Sequence, residues 1–321
     1  MRSRDRNQRG LPPGPTPAGA IIQRALPRPP RTPPQQLQDE APDERSYMAR
    51  MLTLATMPHR ATTCNEFVRR NGHYTLTMLA PSSVGLPYGT IPRLVLMWLT
   101  SEAVRIRSRE IALGESLSAF MRRLNMIPTG GQWGSITQLR KQMRRLFACS
   151  ITCEYNDPRE GWSLDAVRVV DRAAQWWQPH VGGAPGWHSA LVLGERFYDE
   201  VIDSPVPLSV DALRQLRRSP LALDIYCWLT HRLSYLRRPT LIDWSSLQTQ
   251  FGAGYPCDAR GLRDFRRAFG RELRRVRAIY QQARIEAAPP GLRLRPSPPH
   301  VARATPMRLT TTSVRPPSHC G

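Results

Sequence analysis

The residues best suited to carry out chemistry are arginines clustered between Leu262 and Tyr280. Apolar residues recur in this stretch at steps of three and four, the spacing of one helix face; they are Leu262, Phe265, Phe269, Leu273, Val276 and Tyr280. Burial of each such side chain contributes about 1.5–3 kcal/mol, so this face should point inward. The other faces then display seven arginines beside Asp264 and Glu272: Arg263, Arg266, Arg267, Arg271, Arg274, Arg275 and Arg277.

Such a helix has the chemistry needed to bind double-stranded DNA. The major groove admits one helix, and an arginine that forms two hydrogen bonds with guanine discriminates by about 1–3 kcal/mol. The N-terminal half of a recognition helix usually meets the bases, which assigns base contacts to Arg263, Arg266 and Arg267. Phosphate contacts are then expected from Arg271, Arg274 and Arg275. The plain alternative is a solvated cationic face without a partner, although like charges four residues apart oppose an isolated helix.

A second basic helix, predicted from Ser135 to Phe147, is a weaker copy of this pattern. Its predicted buried side consists of Ile136, Leu139, Met143, Leu146 and Phe147, and it contains no acid. Its cations are candidate DNA contacts, with subunit packing as the alternative: Arg140, Lys141, Arg144 and Arg145. The turn before it, Gly130–Gly134, would let backbone N–H groups approach a phosphate, but a tight turn explains its glycines equally well.

The composition of the whole chain agrees with a polyanionic partner. The 321 residues include 46 Lys or Arg against 25 Asp or Glu, a formal net charge of +21. Lys141 is the only lysine, so arginine carries nearly all of the positive charge. A GC-rich genome would explain the choice of arginine over lysine, but not the net charge. Nucleic acid is therefore the expected partner.

The sequence contains no recognisable catalytic or metal-binding motif. Arg140 precedes Lys141 where a Walker A loop needs glycine, and the cysteines form no C-x-x-C pair and no set at zinc spacing. Histidines and acids form no metalloprotease, nicking-type or G-x-S-x-G pattern. We therefore expect no catalytic residue, no cofactor and no metal, and we expect the cysteines to be buried free thiols. A nicking or primase-like enzyme that uses Tyr226 or Tyr280 as its nucleophile is the enzymatic alternative.

Both ends of the chain are expected to be disordered. Residues 1–45 contain ten of the 31 prolines and little apolar periodicity, which predicts a basic arm, and residues 302–321 are similar. No apolar stretch is long enough for a membrane span or typical of a secretory signal, so a soluble, cytoplasmic protein is expected. The stretch from Pro179 to Gly186 predicts a loop or linker. Core or interdomain packing is expected for Trp176, Trp177 and Trp187, with stacking on bases as the alternative.

Between these ends, two successive units repeat one order of elements, which indicates an internal duplication. The first unit, residues 73–178, has a strand, three helices and a hairpin: His73–Ala80, Ile91–Arg107, Ser116–Leu124, Ser135–Phe147, Ser150–Tyr155 and Trp162–Val170. The second unit, residues 187–301, has three helices and a wing: Leu221–Leu236, Trp244–Phe251, Leu262–Tyr280, Arg284–Ala287 and Leu292–Arg295. Ser116 and Asp243 are predicted N-caps, and Arg293 and Arg295 are further candidate DNA contacts.

The expected fold class is mainly α with small β-hairpins (α+β), arranged as tandem winged-helix domains. Several segments of this region resemble the plasmid RepA-type replication initiators. They are Leu86–Leu94 (LPYGTIPRL), Leu139–Phe147 (LRKQMRRLF), Ser219–Tyr226 (SPLALDIY), Trp244 with Leu247–Gly252 (LQTQFG), and Gly291–Val301 (GLRLRPSPPHV). The likeness covers about Gly85 to Val301.

The resemblance implies a DNA-binding initiator rather than an enzyme. Such a protein binds direct repeats at a plasmid origin as double-stranded DNA, helps to melt adjacent AT-rich DNA and recruits host replication proteins, such as a helicase or another initiator. The matching DNA-binding helix is Leu262–Tyr280. Members of the family often repress their own gene as dimers, so a homodimer is compatible with the resemblance.

A second DNA-binding function is also compatible with the sequence. The protein could be a transcriptional repressor that has the same fold but no role in initiation. Direct repeats beside an AT-rich tract near the gene would favour initiation. One inverted repeat over a promoter would favour the repressor.

Overall fold

The computed structural model describes residues 45–114, 116–173 and 190–302. Several predictions fall outside these residues: the N-terminal arm except Arg45, the C-terminal tail except Ala302, the linker at 179–186, and the packing of Trp176, Trp177 and Trp187. Within the described residues, the chain forms the α+β arrangement of helices and small antiparallel sheets that the sequence predicts.

The first half of the chain contains more strands than predicted. Its elements are β1 (Arg45–Ala49), α1 (Arg50–Leu54), β2 (Glu66–Asn71), β3 (Tyr74–Leu79), α2 (Thr90–Ile106), β4 (Glu110–Ala112), α3 (Leu117–Arg123), α4 (Ser135–Ala148), β5 (Ser150–Asp157), β6 (Gly161–Arg168) and β7 (Val170–Ala173). Strands β2, β3, β5 and β6 form one antiparallel sheet in that order. The three predicted helices and the hairpin are confirmed, whereas β1, α1, β2, β4 and β7 had not been predicted.

Two predictions about the helices of this half, the start of α3 and the buried face of α4, can be compared with the structure. The side chain of Ser116 accepts a hydrogen bond from the backbone N–H of Ala119 at 3.0 Å, which confirms it as the N-cap of α3. In α4, the central residues of the predicted stripe are buried, namely Leu139, Met143 and Leu146. Ile136 and Phe147, at its two ends, are half-buried against the same core.

The second half contains the three predicted helices and the predicted wing, together with five elements that the sequence did not predict. Its elements are β8 (Ala190–Leu193), α5 (Glu195–Asp203), β9 (Pro205–Ser209), α6 (Val210–Leu216), α7 (Pro220–Tyr235), β10 (Thr240–Asp243), α8 (Trp244–Phe251), α9 (Ala259–Ile279), β11 (Ile285–Ala288) and β12 (Gly291–Leu294). Asp243 is confirmed as the N-cap of α8, because its carboxylate accepts from the N–H of Ser246 at 2.8 Å. Strands β11 and β12 form the predicted antiparallel wing, and β10 pairs with β12.

Two small sheets join segments that are distant in sequence. Strand β1 pairs with β9, and β4 pairs with β8, which also pairs with β7. The second of these sheets combines strands from both sides of the predicted linker, and the hydrophobic core runs continuously through both halves. The division into two domains and the tandem winged-helix arrangement remain predictions.

A buried ion pair connects the first half to the second. Arg93, on α2, is 1% exposed and donates from Nε and Nη2 to the two carboxylate oxygens of Asp224 on α7, both at 2.7 Å. The guanidinium also donates to the carbonyls of Met57, Pro58 and Gly89. Burial opposes the charge of Asp224, but Arg93 outweighs that effect and holds the pKa of the carboxyl far below its usual range.

His59 completes this network. Its Nε2 lies 2.7 Å from Asp224 Oδ2, and because a carboxylate only accepts, the ring must donate. Burial lowers the pKa of His59 and outweighs the opposing attraction of Asp224. His59 is therefore neutral in the folded protein at pH 7.

We expect the free energy of unfolding to decrease as the pH falls below about 6.5, the usual pKa of histidine. Below this pH, His59 is protonated in the unfolded chain but stays neutral in the folded chain. The difference persists until the pH reaches the lower pKa that His59 has in the folded protein. The slope from one such group is at most about 1.4 kcal/mol per pH unit. Urea unfolding at a series of pH values measures it, and His59→Gln should flatten the curve in this window. An unchanged slope in that variant would contradict the assignment.

Among the described residues, no helix combines the length and apolar character needed to cross a membrane. Over the same residues, no group of three or more His, Cys, Asp or Glu side chains is arranged to hold a metal ion.

Candidate nucleic-acid interface

Helix α9 turns its apolar stripe inward, as predicted from the sequence. Phe265, Phe269, Val276 and Tyr280 are fully buried, Leu273 is nearly so, and Leu262 is half-buried. The ring of Phe269 packs against Phe251 and Phe265, with centroids 5.5 and 5.4 Å apart. The helix begins at Ala259, three residues before its predicted start, because the carboxylate of Asp258 caps it by accepting from the N–H of Gly261. This packing fixes which side of α9 faces solvent.

The solvent side of α9 is a row of exposed guanidinium groups. All six arginines of this helix that were predicted to bind DNA are exposed: Arg263, Arg266, Arg267, Arg271, Arg274 and Arg275. Arg260 and Arg277 extend the row at its two ends. Among the described residues, no carboxylate lies within ion-pair distance of Arg260, Arg263, Arg274 or Arg277. Their charges are therefore available to an anionic partner.

Two arginines near the N-terminal end are only loosely held. The guanidinium of Arg266 lies over the ring of Trp244, 5.2 Å from its centroid. Arg267 approaches Asp264 at 3.9 Å, with both side chains well exposed. Exposed pairs of this kind contribute at most about 1 kcal/mol, so either arginine can turn to a stronger partner.

Farther along, Glu272 holds two arginines in place. Its carboxylate accepts from Arg271 Nε at 3.0 Å and from Arg275 Nη1 at 2.7 Å, and it is 5% exposed. Burial alone would raise the pKa of Glu272, but hydrogen bonds from Arg271, Arg275 and Ser219 outweigh it and lower the pKa. Two cations share one anion, so this cluster still carries net positive charge while its guanidinium groups are oriented in advance.

Gly270 interrupts the outward face of α9. A Cβ built on it would meet only the tip of Arg274, at 4.0 Å. Glycine in the middle of a helix is about 0.5–1 kcal/mol less favourable than alanine. Packing within the chain therefore gives no reason for a glycine here.

The wing beside α9 also carries cations, but they are paired. Glu286 on β11 lies opposite Arg293 on β12 and accepts from Arg293 at 3.4 Å and from Arg295 at 2.9 Å. The hydrogen bond from Arg295 lowers the pKa of the Glu286 carboxyl. The wing thus presents two exposed arginines against one acid.

Helix α4 presents three of its four candidate cations to solvent, namely Arg140, Lys141 and Arg144. Arg145 differs, because its guanidinium donates to the carbonyls of Val84 and Leu86 and lies over the ring of Tyr88. It anchors the loop before α2, so a contact with DNA would require it to leave these partners. The DNA-binding role of all twelve predicted residues remains a prediction.

The tyrosines considered for a nicking reaction lie in the core. Tyr226 and Tyr280 are both fully buried. The hydroxyl of Tyr280 donates to the carbonyl of Pro298 at 2.6 Å, and that of Tyr226 accepts from the N–H of Ser209 at 2.9 Å. Burial raises the pKa of Tyr280 to about 12. Neither hydroxyl is placed to attack a DNA strand.

Cys149, Cys153 and Cys227 are buried free thiols, as predicted, whereas Cys64 and Cys257 are free but exposed. Burial raises the pKa of both Cys149 and Cys153 to about 12, so these two remain protonated. Cys320 lies outside the described residues.

Sequence reasoning missed Arg260 as a member of the cationic row, because the apolar period begins only at Leu262. Asp258 followed three residues later by Gly261 was the available N-cap signal. The sequence also did not predict that Trp133, in the turn before α4, would be exposed; it is 82% exposed. No local pattern marks an exposed tryptophan.

Comparison with known proteins identifies part of the chain. Residues 86–245, about half of the chain, match the family model described as plasmid encoded RepA protein, which confirms the resemblance seen in the sequence. The match is shorter than the predicted span of Gly85 to Val301, and it ends before α9. No curated protein matches the chain.

Two solved structures are similar to part of this chain. A structure of domains 2 and 3 of RctB, a selenomethionine derivative, has a TM-score of 0.49 and 14% identity, covering 70% of this chain and 83% of that one. A second structure of RctB domains 2–3 has a TM-score of 0.45 and 16% identity, covering 70% and 82%.

Proposed function

We propose, from the membership of residues 86–245 in the RepA family of plasmid-encoded proteins, that this chain initiates plasmid replication by binding directly repeated duplex sites at an origin. In this proposal the protein promotes opening of adjacent DNA and recruits host replication proteins. It acts as a binding protein in the cytoplasm, without a catalytic residue of its own.

The observation that carries this proposal is the outward face of α9. Its apolar stripe is fixed in the core, so the helix cannot rotate to hide its arginines. A helix with a cationic outer face fits the major groove, where its N-terminal half meets base edges. Arg263, Arg266 and Arg267 lie in that half of α9, and Arg271, Arg274 and Arg275 follow toward the phosphates.

The order of elements around α9 supports a winged-helix domain in the second half. Helices α7, α8 and α9 precede the hairpin of β11 and β12, and β10 pairs with β12 to give a sheet in the order β10-β12-β11. In this arrangement the wing with Arg293 and Arg295 flanks α9 and would reach the phosphate backbone of the DNA beside the major groove. The first half repeats the order with α2, α3, α4 and the β5–β6 hairpin, which is the basis for proposing two such domains in tandem.

Footprinting of the full chain on DNA that flanks its own gene tests the proposal. We expect protected repeats in direct orientation beside an AT-rich tract, and steep weakening of binding by salt. Neutralising some six to ten phosphates costs roughly 10³–10⁵ in affinity between 50 and 200 mM salt. A single protected inverted repeat over a promoter would instead indicate a repressor. Binding that does not weaken with salt would mean that the arginines do not contact DNA.

A further inference from the structure

The turn between α3 and α4 exposes two large apolar side chains. Trp133 is 82% exposed and Ile127 is 77% exposed, more than any other large hydrophobic residue that the structure describes. An indole offers an extended apolar surface whose burial would be strongly favourable. Its position in solvent therefore indicates a contact with a partner.

The backbone of this turn is closed by hydrogen bonds and holds Trp133 in a defined place. The hydroxyl of Ser135 donates to the carbonyl of Ile127 at 2.7 Å and accepts from the N–H of Thr129 at 2.9 Å. The hydroxyl of Thr137 donates to the carbonyl of Gly131 at 2.9 Å. Gly134 leaves no room for a side chain, since a Cβ there would lie 2.2 Å from the carbonyl oxygen of Gly130. A turn that is already ordered loses little entropy on binding.

The segment of chain that carries Trp133 is strongly cationic. The chain from 116 to 153 contains no Asp or Glu and six basic residues, of which Arg122, Arg123, Arg140, Lys141 and Arg144 are exposed. Arg217, from the segment after α6, adds a further cation by donating to the carbonyl of Asn125. Such a surface attracts phosphates.

We propose that this turn is a second nucleic-acid site that binds unpaired DNA, with Trp133 stacking on an exposed base and the cations of α3 and α4 following the backbone. An aromatic ring among basic groups is the usual means of holding single strands, because every unpaired base offers a flat face. A duplex hides those faces between its base pairs. The inference goes beyond the proposed function, which assigns no residue to the binding of unpaired DNA.

Trp162 provides a matched control. It is also an exposed tryptophan, 53% exposed, and lies on β6 in the same half of the chain. Its Nε1 donates to the carboxylate of Glu154 at 2.7 Å, so a negative charge lies beside it where a phosphate would have to approach. Comparing Trp133→Ala with Trp162→Ala therefore distinguishes loss of base stacking at Trp133 from a general effect of removing an exposed tryptophan.

The test is the affinity of the full chain for a fluorescently labelled oligothymidylate and for a random duplex of equal length, at one fixed salt concentration. Trp133→Ala should weaken oligothymidylate binding by about 5- to 150-fold, the range measured for loss of one base–aromatic stack. Trp133→Phe should retain most of the affinity, Trp162→Ala should retain all of it, and Trp133→Ala should leave duplex binding unchanged. The Arg140→Ala, Lys141→Ala, Arg144→Ala triple variant should weaken single-strand binding and make it less dependent on salt.

Three results would overturn the proposal. Native oligothymidylate affinity in Trp133→Ala would assign the turn to a protein partner. An equal loss in Trp162→Ala would make the effect unspecific, and an equal loss on the duplex would mean that Trp133 does not select unpaired DNA. None of these results depends on whether α9 recognises origin repeats, which the footprint decides separately.

Discussion

Replacing Arg263, Arg266 and Arg267 together by Ala is expected to abolish replication of a plasmid that depends on this protein. The three guanidinium groups lie on the first half of α9, outside the core, and are paired with at most one exposed carboxylate. Each bidentate base contact contributes about 1–3 kcal/mol of discrimination, so losing three should weaken specific binding on the order of 100-fold or more. Plasmid establishment in the host and gel-shift titration of a repeat-containing fragment measure the two effects.

A matched variant separates position from total charge. Arg105, Arg168 and Arg172 are exposed arginines on α2, β6 and β7, elements without extensive packing against α9, and replacing all three by Ala removes the same charge. That variant should replicate and bind specifically, with only a modest general weakening. If both triple variants behave alike, or if the α9 variant still replicates, α9 is not the recognition helix.

Asp224→Ala is expected to lower the free energy of unfolding by about 3–5 kcal/mol, the usual effect of removing one partner of a buried ion pair. Arg93 would remain 1% exposed with only backbone carbonyls to accept its hydrogen bonds. His59 would lose its acceptor as well. Urea unfolding followed by circular dichroism measures the change, which is a large fraction of the roughly 5–15 kcal/mol stability of ordinary proteins.

The control for this prediction is Asp211→Ala. Asp211 accepts from Arg214 at 3.0 Å, but both side chains are more than half exposed, so its loss should change the stability by at most about 1 kcal/mol. A small effect of Asp224→Ala, similar to that of Asp211→Ala, would mean that the network contributes little to joining the two halves.

The sequence predicted those features that depend on neighbouring residues. The bounds of α4, α8 and the wing, the caps at Ser116 and Asp243, and the inward face of α9 all follow from helical spacing, capping chemistry and turn residues. These signals are local, and the structure bears them out.

The features that were missed depend on partners that are far apart along the chain. Arg93 and Asp224 are separated by 131 positions, and nothing near either residue indicates the other. Strand β1 finds its partner in β9, and β8 inserts between β4 and β7. Arg145 appeared equivalent to Arg144 in the sequence, but only the fold brings the loop before α2 within reach of its guanidinium.

Gly270 shows how the demands on α9 differ from those of folding alone. A methyl group at this position would meet only the tip of the Arg274 side chain and would stabilise the unbound helix, yet the residue present is glycine, which has no side chain. Its place midway along the row of arginines leaves a shallow notch in an otherwise bulky surface. The helix axis can come nearer to a flat or curved neighbour at that notch than at any point where a long side chain intervenes.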